Sequence, residues 1–132
     1  MTVGESVIAW LKGYDESLKI DTDLQSDKVN TYSLVKEPTQ TVKAYISGRR
    51  ELTDYFAIQA RRHTQYNPDR ISNNAFGESL EAWVHAQNAA GNFPSIDNAT
   101  VKQVSVTTPW YVGNISPKES VYQMTLAIKY EL

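Results

Sequence analysis

The residues able to do chemistry are few and scattered. The two histidines, His63 and His85, fall on different elements, with no carboxylate cluster beside either. Metal or acid–base work needs such a cluster, so a hydrogen-bonded or solvated role is the expectation for both. Asp21 and Asp23 share one face of a strand-like stretch and could approach a hard cation; solvated edge charges are the simpler reading. Glu78 and Glu81 are i, i+3 neighbours on the polar side of a helical stretch, and read as a wet face.

No nucleophile elbow surrounds any serine, and the six glycines stand apart instead of forming a phosphate loop. Arg61 and Arg62 are adjacent on a strand, so alternation sends them to opposite faces and a joint phosphate clamp fails. There is no cysteine, hence no disulfide, thiolate metal site or cysteine nucleophile. These residues suggest no catalytic site, and neither metal nor organic cofactor is expected.

Contact chemistry is better represented. Eight tyrosines and three tryptophans are many for 132 residues, and both types suit surfaces that are apolar on one side and wet on the other. Trp110 and Tyr111 read as loop residues, open to an interface role or to local packing. Trp10 and Trp83 sit on apolar helix stripes and are expected in the core. Arg49 and Arg50 follow Ser47-Gly48 in "YISGRRELTDYF", where two alternating runs meet, so they belong at the tip of a β-hairpin with Tyr45 just before it.

The elements that must position these groups follow from pattern. Thr2 and Glu5 form a capping box, and Val3, Val7, Leu11 and Tyr14 recur at helical spacing, predicting a helix over 3–13. Strands are expected at 18–24, at 31–38 where Pro38 stops the run, and at 41–46 and 51–64 around the hairpin. The 51–64 run is apolar on both faces, predicting a central, well-covered strand. Asn67-Pro68-Asp69 starts a long helix over 68–90, with Asn67 as N-cap and Gly91 as its left-handed stop. Strands at 100–108 and 120–132 flank a loop at 109–119 containing two prolines and a glycine. This α-β-β-β-β-α-β-β order predicts one α+β domain over 1–132. Its mixed or antiparallel sheet has about five to six strands, two helices pack on it, and a β-hairpin protrudes.

Net charge is −2 and the pI about 5.6, which argues against a dedicated nucleic-acid binder. No apolar run reaches the ~18–20 residues of a membrane span, and the N-terminus lacks a signal pattern, so cytosolic synthesis without a membrane partner is the expectation.

Taken together, "AWLKGY", "IDTDL", "YSLVKEPTQTVKAYISGRRELTDYFAIQARRHT", "EAWVHAQN", "GNFP" and "VYQMTLAIKY" resemble, in the same order, a family of small structural proteins. These are the minor capsid proteins of siphophages and prophages of Gram-positive bacteria, similar to the tail terminators (tail-completion proteins) of long non-contractile tails. The resemblance implies a non-enzymatic virion protein of the head–tail junction, made in the host cytoplasm. It implies a homo-hexameric ring that stops tail-tube growth, with the tail tube protein and the head-closure connector protein as partners. Genomic DNA would pass through the lumen without specific binding, which a mildly acidic subunit suits. On this resemblance the hairpin is an arm with Arg49 and Arg50 as charged contacts, and a solubilising tip is the bland alternative. The sequence ends at Leu132, just after its last expected strand, so the resemblance leaves the head-connector contact unlocated. A neighbouring head-closure or adaptor role and a small cytosolic ligand-binding domain or enzyme are the rival readings.

Overall fold

A computed structural model describes residues 2–23 and 30–132. Seven elements follow one another: α1 (Val3–Leu11), β1 (Ile20–Thr22), β2 (Thr31–Ala44), β3 (Arg50–His63), α2 (Asn67–Ala90), β4 (Thr100–Asn114) and β5 (Glu119–Glu131). The strands form one mixed sheet in the order β1-β2-β3-β5-β4. β1 runs parallel to β2, and every other pairing is antiparallel. The α+β class with two helices is as the patterning predicts.

α1 begins as its sequence dictates. Thr2 Oγ1 accepts the Glu5 amide at 3.1 Å, satisfying one of the free N–H groups of the first turn. The helix stops at Leu11, two residues early, and the chain leaves through tight i→i+3 bonds from Gly13 to Trp10 and from Tyr14 to Leu11. α2 starts one residue before the expected position. Tyr66 is the N-cap, and the Asp69 carboxylate accepts the Tyr66 amide at 3.4 Å. It ends on Gly91 at φ 74°, the left-handed stop the sequence predicts. The Leu24 end of the expected 18–24 strand lies outside the described residues.

Two expected breaks are corrected. Pro38 does not end a strand, because β2 runs on to Ala44 and merges two expected strands into one. The β2–β3 register slips between Lys36↔Phe56 and Gln40↔Asp54, so Glu37-Pro38-Thr39 bulge at a sheet edge. A proline is tolerated there because the missing N–H is not needed by a second neighbour. Likewise 109–119 is not one loop: β4 continues to Asn114, carrying Pro109 and Gly113 within its register irregularities. The expected protruding arm is also corrected. β5 lies alongside β3 from His63↔Glu119 to Glu51↔Glu131, so only the turn extends past the sheet.

Both helices pack on one face. Val7 and Leu11 of α1, and Leu80 and Val84 of α2, cover Leu34, Phe56, Ile58, Met124, Leu126 and Ile128. Their alternation along β3 and β5 places them all on that side. β3 is central, as expected, but its second face has no layer of described structure over it. Ala57, Thr125 and Ala127 are still buried there, because longer neighbours flank them. Cross-strand polar pairs stitch that face: Arg61–Glu119 at 3.3 Å, Gln59–Gln123 at 3.4 Å and Thr125–Glu37 at 3.4 Å.

Candidate assembly surface

The hairpin turn is closed by Gly48 N–H to Tyr45 O at 3.0 Å and Tyr45 N–H to Arg49 O at 2.9 Å. Gly48 has φ 88°, a left-handed conformation that explains glycine at this position. Two cations approach the Tyr45 ring, with Lys43 Nζ and Arg49 Cζ each 5.4 Å from its centroid. Arg49 Nη1 also meets Glu131 Oε1 at 2.8 Å, although its side chain is 61% exposed. Such a pair is worth up to about 1 kcal/mol. Lys129 Nζ and Glu51 Oε1 approach at 3.9 Å on the same end of the sheet. Among the described residues, the Arg50 side chain has no hydrogen-bond or ion-pair partner, while its carbonyl accepts the Leu132 amide at 3.0 Å.

The structure therefore brings Tyr45, Arg49 and Arg50 together. It separates them from Trp110 and Tyr111, since Tyr111 pairs with Gln123 while the hairpin end pairs with Glu131. Neither aromatic is in a loop. Trp110 stacks on Tyr122 at 5.6 Å, meets Phe76 edge-on at 5.4 Å and sits against Gly77, which makes it a packing residue. Tyr111 lies on the open sheet face, where its hydroxyl accepts from Gln123.

Two side chains that matter here escaped the sequence pattern. Ile46 occupies the turn and is fully exposed, and Val42 is half exposed beside it. An isoleucine in a turn of polar residues was the available signal. Glu81 is not a wet-face residue, because its carboxylate accepts the Trp110 amide and ties α2 to β4. Trp10 and Trp83 are half-buried at the edge of the core, their rings 4.7 Å apart.

The other expected sites resolve into structure. Arg61 and Arg62 do point to opposite faces. Arg62 donates to Asn73 and to Tyr32, both at 2.7 Å, and lies 4.9 Å over Phe76. Asp23 Oδ1 accepts the Lys36 amide at 2.9 Å. His63 and His85 are exposed on separate elements. Among the described residues, no three metal-ligating side chains come together.

A cleft of about 410 Å³ lies at the far end from the hairpin, lined by Thr64, Arg70, Ile115, Ser116, Ser120 and Tyr122. Its volume would suit a small ligand. Two of its hydroxyls, however, those of Thr64 and Ser120, meet each other at 3.1 Å and the Ser116 backbone. Thr64 Oγ1 donates to Ser116 O at 2.9 Å, and Ser120 Oγ accepts the Ser116 amide at 3.0 Å. These bonds hold the β4–β5 connection to the end of β3. No protein-family model matches this chain, and no curated protein matches it.

Proposed function

We propose that this protein is a non-enzymatic phage virion component of the head–tail junction, a tail terminator that closes into a homo-hexameric ring on the head-proximal end of the tail tube. The observation that carries the reading is the hairpin end. Exposed apolar Ile46 and Val42 are set among Lys43, Arg49 and Arg50, beside a β2 edge that the described residues cover only as far as Lys36. An unpaired strand edge with an apolar, charged tip is a surface built for another chain. The small α+β subunit agrees with the architecture that the resemblance implies, and its partners on this reading are the tail tube protein and the head-closure connector.

Electron microscopy of intact particles, with the subunit tagged on the exposed α2 surface, tests the reading. Density for the tag in a single ring where tail meets head supports it. A tag on the head-closure side of that joint favours the adaptor role, and its absence from particles overturns both.

A further inference from the structure

The cleft of about 410 Å³ at the far end of the sheet holds polar groups that the fold does not use. Tyr122 lines it and is only 4% exposed, yet its hydroxyl has no hydrogen-bond partner among the described residues. The Ser116 hydroxyl has none either. A buried phenol normally finds an acceptor, so one left without it in a cleft wall points to a ligand that brings one. Arg70 donates through Nη1 to the Thr64 carbonyl at 2.6 Å, which anchors its guanidinium on the cleft floor. Its remaining N–H donors stay uncommitted among the described residues. We propose that this cleft binds a carboxylate carrying an aliphatic chain. Arg70 and the Tyr122 hydroxyl hold the carboxylate, and Val112, Ile115 and Pro117 cover the chain.

Charge and polarity select that class of ligand. No carboxylate lines the cleft; Arg70 is its one charged residue, and Lys118 beside Pro117 adds a second cation nearby. The local field therefore favours an anion and repels a cation. A planar guanidinium matches a carboxylate through two parallel N–H···O bonds. The rest of the wall is apolar, and Ile115 is 78% exposed there, so it offers surface that a ligand's chain can cover. The volume falls within the ~300–1,000 Å³ of small-molecule sites.

The site is also pre-formed. The Thr64 amide donates to Lys118 O at 2.9 Å and its hydroxyl to Ser116 O at 2.9 Å. With the Arg70 bond, these contacts join the end of β3, the first turns of α2 and the β4–β5 connection before any ligand arrives. Little ordering is then left to oppose binding. The cleft lies at the other end of the sheet from Arg49 and Arg50, so its occupation does not depend on the proposed ring.

Titration of the isolated full chain with hexanoate, octanoate and octylamine, followed by amide NMR shifts, tests the site. Octanoate should shift the Thr64, Ile115, Ser116 and Tyr122 amides saturably, with a Kd of about 1 mM or tighter. Hexanoate should bind more weakly, by about fourfold for each methylene removed. Octylamine, with the same chain and the opposite charge, should leave these amides in place. Tyr122→Phe keeps the ring that stacks on Trp110 and should weaken octanoate about tenfold, and Arg70→Gln should weaken it at least as much. Shifts that do not saturate or that centre elsewhere overturn the site. Octylamine binding equal to octanoate, or unchanged affinity in Tyr122→Phe, overturns it too.

Discussion

Tyr130 donates its phenolic hydrogen to Asp54 Oδ2 at 2.9 Å, across the pairing of the two central strands, and both residues are buried. Asp54 faces the core between Leu52 and Phe56, and Gln40 Nε2 donates to its other oxygen. A carboxylate is held at a position that alternation would give to an apolar residue, and it is held by neutral donors. The group joins β2, β3 and β5 at the hairpin end of the sheet.

Replacing Asp54 by Ala should destabilise the fold by about 2–4 kcal/mol, because the Tyr130 hydroxyl loses its buried acceptor and Gln40 its partner. Urea unfolding measures it. A loss below half a kcal/mol would mean that water replaces the carboxylate freely.

The same pair sets an alkaline limit. Burial, then the hydrogen bond to Asp54 and its charge, push the Tyr130 phenol up to about 12 from its ordinary 10. The folded state favours the neutral phenol, so its contribution is complete below pH 10 and is lost as pH rises from 10 to 12. Melting temperatures of the parent should fall across that window more steeply than those of Tyr130→Phe. Parallel curves would refute the linkage.

Gly77→Ala should disrupt the α2–β4 contact, since an added Cβ would lie 2.1 Å from Trp110 Cγ. The ring is held between Phe76 and Tyr122 and has little room to retreat. Overpacking of about 1–3 kcal/mol outweighs the ~0.5–1 kcal/mol that alanine contributes to a helix. Tryptophan fluorescence and thermal melting should both shift; an unchanged melting point would contradict the packing.

Trp83→Ala removes the partner of Trp10 and an edge-on neighbour of Tyr14 at 5.8 Å. Full burial of such a ring would predict a loss of about 3–5 kcal/mol. Half-burial places the expected loss nearer 2–3 kcal/mol, read by denaturant titration.

Arg49→Glu with Arg50→Glu separates assembly from folding. The first change breaks the Glu131 pair and the second touches no described side chain, so the fold should lose about 1 kcal/mol or less. For a chain of this size that is a few degrees of melting temperature. The variant should remain folded and fail to close rings or cap tails, leaving heads separated from tails in a complementation assay. Full infectivity would reduce these arginines to solubilising groups.

What was legible in the sequence was whatever local periodicity determines. α2 was readable because a 3.6-residue stripe, an acidic first turn and Gly91 agree with one another, and β5 because Tyr122 to Tyr130 alternate without interruption. Pro38, Pro109 and Gly113 misled because their meaning depends on strand position in the sheet, and edge strands accept what central strands reject. Glu81 and Asp54 were illegible for a different reason. Each looks ordinary on its own element and gains its role from a strand far away in the chain.

The strand order has a consequence for how the chain reaches this state during synthesis. β5 is the last element in sequence, yet it sits between β3 and β4. When a ribosome has produced everything up to Asn114, the β2–β3 hairpin can already form, but the inner edge of β3 is bare and the core lacks Met124, Leu126, Ile128 and Tyr130. Closure waits for Glu119–Glu131, and it joins residues as distant as Glu51 and Glu131 in one zippering step. Such long-range pairing is slow and leaves an aggregation-prone edge in the interim. Nascent chains halted before β5 are thus the form of this protein with the most strand edge open to mispairing.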